Sequence, residues 1–181
     1  MDTILSPDLG LFVLRLAVGG VIFAHGAIKI GWPISMGPGV GLAALRNTAG
    51  WFGSLGFWPP LFWAAVSFVA EFFGGILIVL GLSGPIAPAL VFGDMIVVTW
   101  VAHWPSGFWS AKNGWEFPIL LLAGSFALAL IGFGGWSLDS ALRLTYSAWL
   151  TVAMLVIGIL GAAALLVIRV SRRAQTAPQE A

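Results

Sequence analysis

Five apolar runs, at approximately residues 9–31, 61–81, 86–104, 117–133 and 147–169, take up most of this chain. Each is close to the roughly 20 residues that a helix needs to cross the hydrocarbon of a bilayer. Backbone in hydrocarbon must satisfy its own hydrogen bonds, so each run is predicted to be a membrane-crossing helix. The fourth run is the shortest. The composition agrees: 60% of residues are hydrophobic and 8% charged, where a soluble domain carries roughly 25% charged residues. A soluble fold of this length could not hide so much apolar surface, and the predicted class is an all-α integral membrane protein. The absence of cysteine excludes disulfides, thiolate metal sites and cysteine redox chemistry. A net charge of +1 gives no sign of a nucleic-acid partner, and none is expected. Asp2 and Asp8 stand where a secretory signal would carry basic residues, so the first run is expected to be a retained span.

The connections differ in character. Residues 32–60 are rich in Gly, Pro and Trp, and their middle, 41–52, is expected to form an interfacial helix with Arg46 outward. The second connection, "GLSGP", is a tight turn, and the third and fourth are short. The tail, 171–181, is small, polar and free of aromatics, so it is expected to be disordered. Let the N-terminal face be side B and the opposite face side A. Lys29, Arg46, Lys112, Arg169, Arg172 and Arg173 then collect on side A, against Arg143 on side B. The positive-inside rule makes side A cytoplasmic, with a periplasmic N-terminus and a cytoplasmic C-terminus in a bacterial inner membrane.

Polar residues inside the runs sort by depth. At about 1.5 Å per residue, Arg15 lies roughly 9 Å and Asp94 roughly 12 Å in from side B, with Glu71 near the midplane. Arg15, Gly19, Ile22, Gly26 and Lys29 share one helical stripe, and Ala64, Ser67, Glu71 and Gly74 share another. Small residues beside the charges let backbones approach closely. A lone charge at this depth is costly, so Arg15 is expected to pair with Glu71 or Asp94, with Arg15 and Asp94 assigned to a structural ion pair. Such pairing either fixes helix register alone or forms part of a proton- or electron-transfer site facing a ligand cavity.

A second polar group gathers on side A. His25 and Lys29 end the first run, His103 ends the third, and Glu116 begins the fourth. Trp32, Trp51, Trp58, Trp63, Trp100, Trp104, Trp109 and Trp115 share that side. An anchoring belt would populate both faces, so the asymmetry fits either ordinary anchoring or a Trp-walled vestibule. For His25 the readings are a helix-capping histidine, a quinone-carbonyl donor, a proton shuttle or a haem ligand. Haem is disfavoured because both histidines lie near the surface and no second pair exists. Lys29 beside His25 disfavours a cation, so neither metal nor haem is expected.

The segments "LRLAVGGVIFAHGAIKIGW", "AEFFGGILIVLGL", "HWPSGFWSAKNGWEFPILLL" and "GFGGWSLD", in this order over roughly residues 9–139, resemble the DoxX family of membrane proteins. The family pattern of arginine followed by His-Gly-x-x-Lys falls on Arg15, His25, Gly26 and Lys29. Its glutamate before paired glycines falls on Glu71, Gly74 and Gly75. Its His…Gly-Phe…Glu pattern falls on His103, Gly107, Phe108 and Glu116, and its Gly-x-Gly and Ser-Leu-Asp ending on Gly132, Gly134, Ser137, Leu138 and Asp139. The resemblance implies a four-helix transmembrane bundle associated with redox processes, related to the membrane subunit of a thiosulfate:quinone oxidoreductase. On that basis residues 1–139 form the bundle, with residues 32–60 as its first loop. Residues 140–170 add a fifth transmembrane helix outside the family pattern, and 171–181 form the tail.

Two functions remain open. In the first, the chain is a quinone-interacting oxidoreductase subunit, with His25, Lys29, Glu71, His103 and Glu116 in one pocket opening to side A. Trp104, Trp109, Trp115 and Phe108 would wall the quinone, and Glu71 would relay protons from the pocket floor. Electrons would then come from a partner subunit. In the second, it is a non-catalytic scaffold of a membrane redox complex. A transporter is disfavoured, since no pair of broken helices repeats at matching positions.

Overall fold

The computed structural model describes residues 6–34 and 37–176, with backbone alone for 173–176. The described residues are all-helical, with no strand among them. Helix α1 (Pro7–Lys29) starts where the Ser6 side chain accepts from the Leu9 amide and a proline occupies the first turn. Helix α2 (Leu42–Ser54) is the expected side-A helix, burying Ala44, Thr48, Ala49 and Phe52 while Arg46 stays exposed. Helix α3 (Pro60–Leu80) ends at Gly81, whose left-handed conformation (φ 65°) is the usual helix stop. Helix α4 (Ile86–Val98) continues through a π-helical turn, Thr99–His103, and a 3₁₀ turn, Trp104–Ser106. Helix α5 (Glu116–Ile131) is followed by the single turn α6 (Leu138–Ala141) and the long α7 (Ala148–Thr176).

Among the described residues, four helices are long and apolar enough to cross a membrane: Pro7–Lys29, Pro60–Leu80, Ile86–Ser106 and Ala148–Arg172. The fourth predicted span is the shorter α5, whose 16 residues reach only about 24 Å. The four expected bundle helices, α1, α3, α4 and α5, enclose a core of Val18, Ile22, Ile78, Val91, Met95, Leu121 and Leu128. The fifth, α7, lies along α4 and touches α5, burying Leu155 against Ala89, Phe92 and Ala129. It is helical through Thr176, so residues 171–176 are not the disordered tail expected, and residues 177–181 lie outside those described.

Two glycine-mediated crossings fix how these helices sit. At the α1–α3 crossing, a Cβ on Gly26 would overlap the backbone of Phe72, and one on Gly75 would overlap that of Phe23. This contact sets a stagger that depth counting from each helix's own ends did not foresee. With Gly26 level with Phe72 in an antiparallel pair, Lys29 lies one turn toward side A, near the level of Phe68. Helix α3 begins about 12 Å further out. The end of α1 is thereby sunk beneath α2, and Lys29 is buried. At the second crossing, a Cβ on Gly93 of α4 would stand 2.9 Å from the carbonyl oxygen of Gly158 in α7.

Candidate functional site

Polar residues collect at both ends of the bundle, and the two clusters are built differently. On side B, Arg15 is almost completely buried (1% exposed). It pairs with neither Glu71 nor Asp94, which corrects the sequence expectation. Its guanidinium donates to the carbonyl of Trp136 and lies over the rings of Phe12 and Phe133, 5.5 and 6.0 Å from their centroids. The acid acting on its charge is Asp139. Asp139 in turn accepts from the amides of Ser83 (3.0 Å) and Gly84 (2.6 Å) and from the hydroxyl of Tyr146 (3.0 Å). Burial raises the Tyr146 phenol above the ordinary tyrosine range, and its bond to Asp139 adds to the rise. The reason for the altered pairing is the stagger. Sequence depth put Arg15, Glu71 and Asp94 in one slab, whereas folding brings Arg15 beside the α3–α4 turn and the segment before α6.

On side A, Lys29 forms a buried ion pair with Glu71, whose other oxygen receives a 3.5 Å contact from the Ser67 hydroxyl. Asp94 joins this group through side-chain hydrogen bonds with Glu71 and Ser67. Its Oδ2 is enclosed. Above the pair, the Thr48 hydroxyl of α2 donates to the carbonyls of Ala44 (3.2 Å) and Lys29 (3.4 Å). A chamber of about 240 Å³ opens here, bounded by His25, Lys29, Glu71, Asp94 and His103, with Trp51, Phe52 and Phe57 as its aromatic walls. His25 is an exposed rim residue, and it feels the charges of Glu71, Lys29 and His103. His103 Nδ1 lies 2.9 Å from the carbonyl of Asn113. A carbonyl only accepts, so Nδ1 donates and the neutral ring keeps Nε2 as an acceptor.

Four of the five residues expected to share a pocket thus do so. The fifth does not. Glu116 starts α5 ahead of its apolar run and accepts from the Ser110 amide (3.0 Å) and hydroxyl (2.9 Å), which hold its carboxyl below the usual carboxylate range. It caps the third loop. Trp104, Trp109, Trp115 and Phe108 belong to that loop as well, in a stack of their own (Trp104–Trp115 5.4 Å, Phe108–Trp115 4.8 Å, Phe108–Trp109 5.1 Å). None of the four is among the residues lining the chamber. Glu71 is not a separate floor below Lys29 either, since the stagger brings the two into direct contact.

A second cavity, of about 250 Å³, adjoins the chamber between α3, α4 and α7. Its lining is apolar apart from Ser67 and Asp94, which it shares with the chamber together with Phe52, Phe57 and Val97. The rim residues Val66, Leu90 and Ile157 are exposed on the lipid-facing flank. Gly158, Gly161 and Ala162 of α7 leave the room. Sequence reading missed this cleft, although the signal was present in the small residues 158, 161 and 162 of the fifth run, set against Gly93.

Among the described residues no group of three or more His, Cys, Asp or Glu side chains is arranged to hold a metal ion. The DoxX family model matches residues 10–104, just over half of the chain. The chain belongs to the DoxX family. The match spans α1 to the 3₁₀ turn after α4, and so covers every residue lining the chamber of this DoxX protein. The cleft wall from α7 lies outside it. Comparison with curated proteins and comparison with solved structures gave no match.

Proposed function

We propose that this DoxX protein is a quinone-interacting subunit of a membrane redox assembly, of the thiosulfate:quinone oxidoreductase type. One observation carries the reading: a polar chamber and an apolar cleft meet at Asp94 and Ser67. A quinone has those two halves, a head needing hydrogen-bonding partners and a tail needing an apolar slot. His25 and His103 at the chamber rim offer a proton route toward side A, and Trp51, Phe52 and Phe57 offer ring walls. This chain has no thiol, so the electrons come from a partner subunit. The basic residues of side A argue for a bacterial inner-membrane orientation with that side in the cytoplasm, and a reporter fused to the tail tests it.

The deciding experiment is purification in mild detergent followed by extraction of bound lipid. About one quinone or quinol per chain is expected. A stable protein partner with no quinone would overturn the reading in favour of a scaffold, which the Lys29–Glu71 ion pair favours as a fixed tie between α1 and α3. His25→Ala, a change at the exposed rim, is expected to lower quinone-linked activity while the protein accumulates normally.

A further inference from the structure

Glu116 and the aromatic stack of the third loop stand outside the chamber, but the loop supplies one group to it indirectly. His103 lines the chamber, and its Nδ1 donates to the carbonyl of Asn113 in that loop (2.9 Å). The loop is closed on itself around this carbonyl. The Trp109 carbonyl accepts from the amides of Lys112 (2.9 Å) and Gly114 (3.0 Å), and the Ser110 carbonyl from that of Asn113 (2.9 Å). Further down, the amide of Trp115 donates to Gly107 (3.0 Å) and that of Glu116 to Phe108 (2.9 Å). A Cβ on Gly114 would stand 2.4 Å from the Gly107 carbonyl oxygen, so the two arms can close only on a glycine. The Glu116 carboxylate takes both the amide and the hydroxyl of Ser110, and Asn113 sits in the left-handed conformation (φ 62°). Trp115 stacks on Trp104, the residue next to His103.

With Nδ1 committed to a carbonyl, Nε2 is the only nitrogen His103 has left for a molecule in the chamber. In the neutral ring Nε2 accepts. In the imidazolium both nitrogens carry hydrogen; the one on Nδ1 stays with Asn113, and the one on Nε2 is free to leave. Its loss returns the ring to the tautomer that the loop already holds. The other titratable groups bounding the chamber are Lys29 and Glu71, paired with each other, Asp94, bonded to Glu71, and His25 at the rim.

Resting on the quinone reading above, we infer that His103 passes protons to the ligand's head through Nε2, and that Asn113 and Glu116 are positioning residues that fix its tautomer. Reducing one quinone takes two electrons, from the partner subunit, and two protons. His103 delivers a proton by breaking its Nε2–H bond as an O–H bond forms on the head, and the ring is reloaded from side A.

The test is solid-state nuclear magnetic resonance of the full chain in lipid bilayers with isotope-labelled histidine. The chain has only two histidines, so His25→Gln identifies the signals of His103. Spectra are taken at about pH 9, well above the ordinary histidine value of about 6.5, so that the rings are neutral. Wild-type His103 is expected to carry hydrogen on Nδ1 and none on Nε2. Glu116→Ala, which releases Ser110, is expected to lose this single tautomer, whereas Glu116→Gln, whose amide oxygen still accepts, is expected to keep it. A decyl-tailed benzoquinone is expected to shift the Nε2 resonance of His103 and leave Nδ1 in place. Wild-type hydrogen on Nε2 overturns the inference. A tautomer that persists in Glu116→Ala overturns the positioning role of Glu116. Quinone that is bound, as extraction of the same sample shows, but leaves Nε2 unmoved overturns the proton step and leaves the quinone reading standing. Absence of bound quinone overturns the quinone reading and the proton step together. The wild-type spectrum decides the tautomer even if Glu116→Ala does not accumulate.

Discussion

The two ends of the bundle surround buried charge with different partners. On side B, Asp139 directs both carboxylate oxygens to three donors, and Arg15 is wedged between a backbone carbonyl and two phenylalanine rings, with its Nε and Nη1 buried and unpartnered. On side A, one lysine answers two neighbouring acids, and Asp94 stands on the wall between two cavities. The first arrangement joins the α3–α4 turn, α6 and the segment just before α7 into a knot. The second sets its acids on a wall shared by a polar chamber and an apolar cleft. Buried charge by itself therefore does not mark a site. Buried charge where a polar and an apolar cavity meet does.

The comparison is most easily broken at the knot. Asp139→Ala should cost about 5 kcal/mol or more, because it strips three donors of their acceptor and leaves the Arg15 charge buried without its counterion. The measurement is accumulation in the membrane and thermal unfolding in detergent. A variant as stable as wild type would mean that Asp139 does not hold side B together.

Glu71→Gln should cost about 3–5 kcal/mol by leaving Lys29 charged and unpaired, whereas Lys29→Met with Glu71→Leu should recover most of that loss. Thermal unfolding measures both, and bound quinone in the double variant sharpens the contrast. A stable double variant that has lost its ligand would separate the ion pair's role as a helix tie from its role in the chamber. A double variant as unstable as Glu71→Gln would contradict the pairing.

The stripes on α1 and α3 were legible in the sequence. Arg15, Gly19, Ile22, Gly26 and Lys29, and likewise Ala64, Ser67, Glu71 and Gly74, are all buried, because helical periodicity and small-residue placement are local properties. Their mutual stagger was not legible. It depends on which glycine meets which backbone, and sliding α1 past α3 by about two turns turned an expected Arg15–acid pair into a Lys29–Glu71 pair. The partner of Arg15 was hidden for a second reason: the Trp136 carbonyl is a backbone group and leaves no trace in residue type. The third-loop aromatics misled because tryptophans on one side of a membrane share a depth without sharing a wall.

A smaller effect is expected at the α4–α7 crossing. Gly158→Ala brings a methyl to about 2.8 Å from the Ala89 carbonyl, and overpacking of this kind costs about 1–3 kcal/mol. Unfolding should report it, together with weaker ligand binding as the cleft changes shape. Unchanged stability and binding would show that α7 is a passenger on the bundle.

The smallest effect belongs to Tyr146, the only tyrosine in the chain. Tyr146→Phe removes one hydrogen bond from the knot, worth about 1 kcal/mol. In the wild type its ionisation, followed by ultraviolet absorbance, should occur above the ordinary tyrosine value near 10. The unfolded chain then ionises first, so stability is fully present below that value and is lost as pH rises through it toward the raised folded value. Tyr146→Phe should lack this alkaline loss. An unshifted titration would mean that the hydroxyl is open to water and the knot looser than its geometry indicates.

The cleft between α3, α4 and α7 has a rim on the hydrocarbon flank, not on either aqueous face. A molecule arriving there diffuses in two dimensions, and its driving concentration is its mole fraction in the bilayer, not its molarity in the buffer. Diluting the sample with water would leave occupancy almost unchanged, whereas adding empty lipid at fixed total ligand would lower it. Affinities for this protein are accordingly comparable between preparations only at a stated lipid-to-protein ratio.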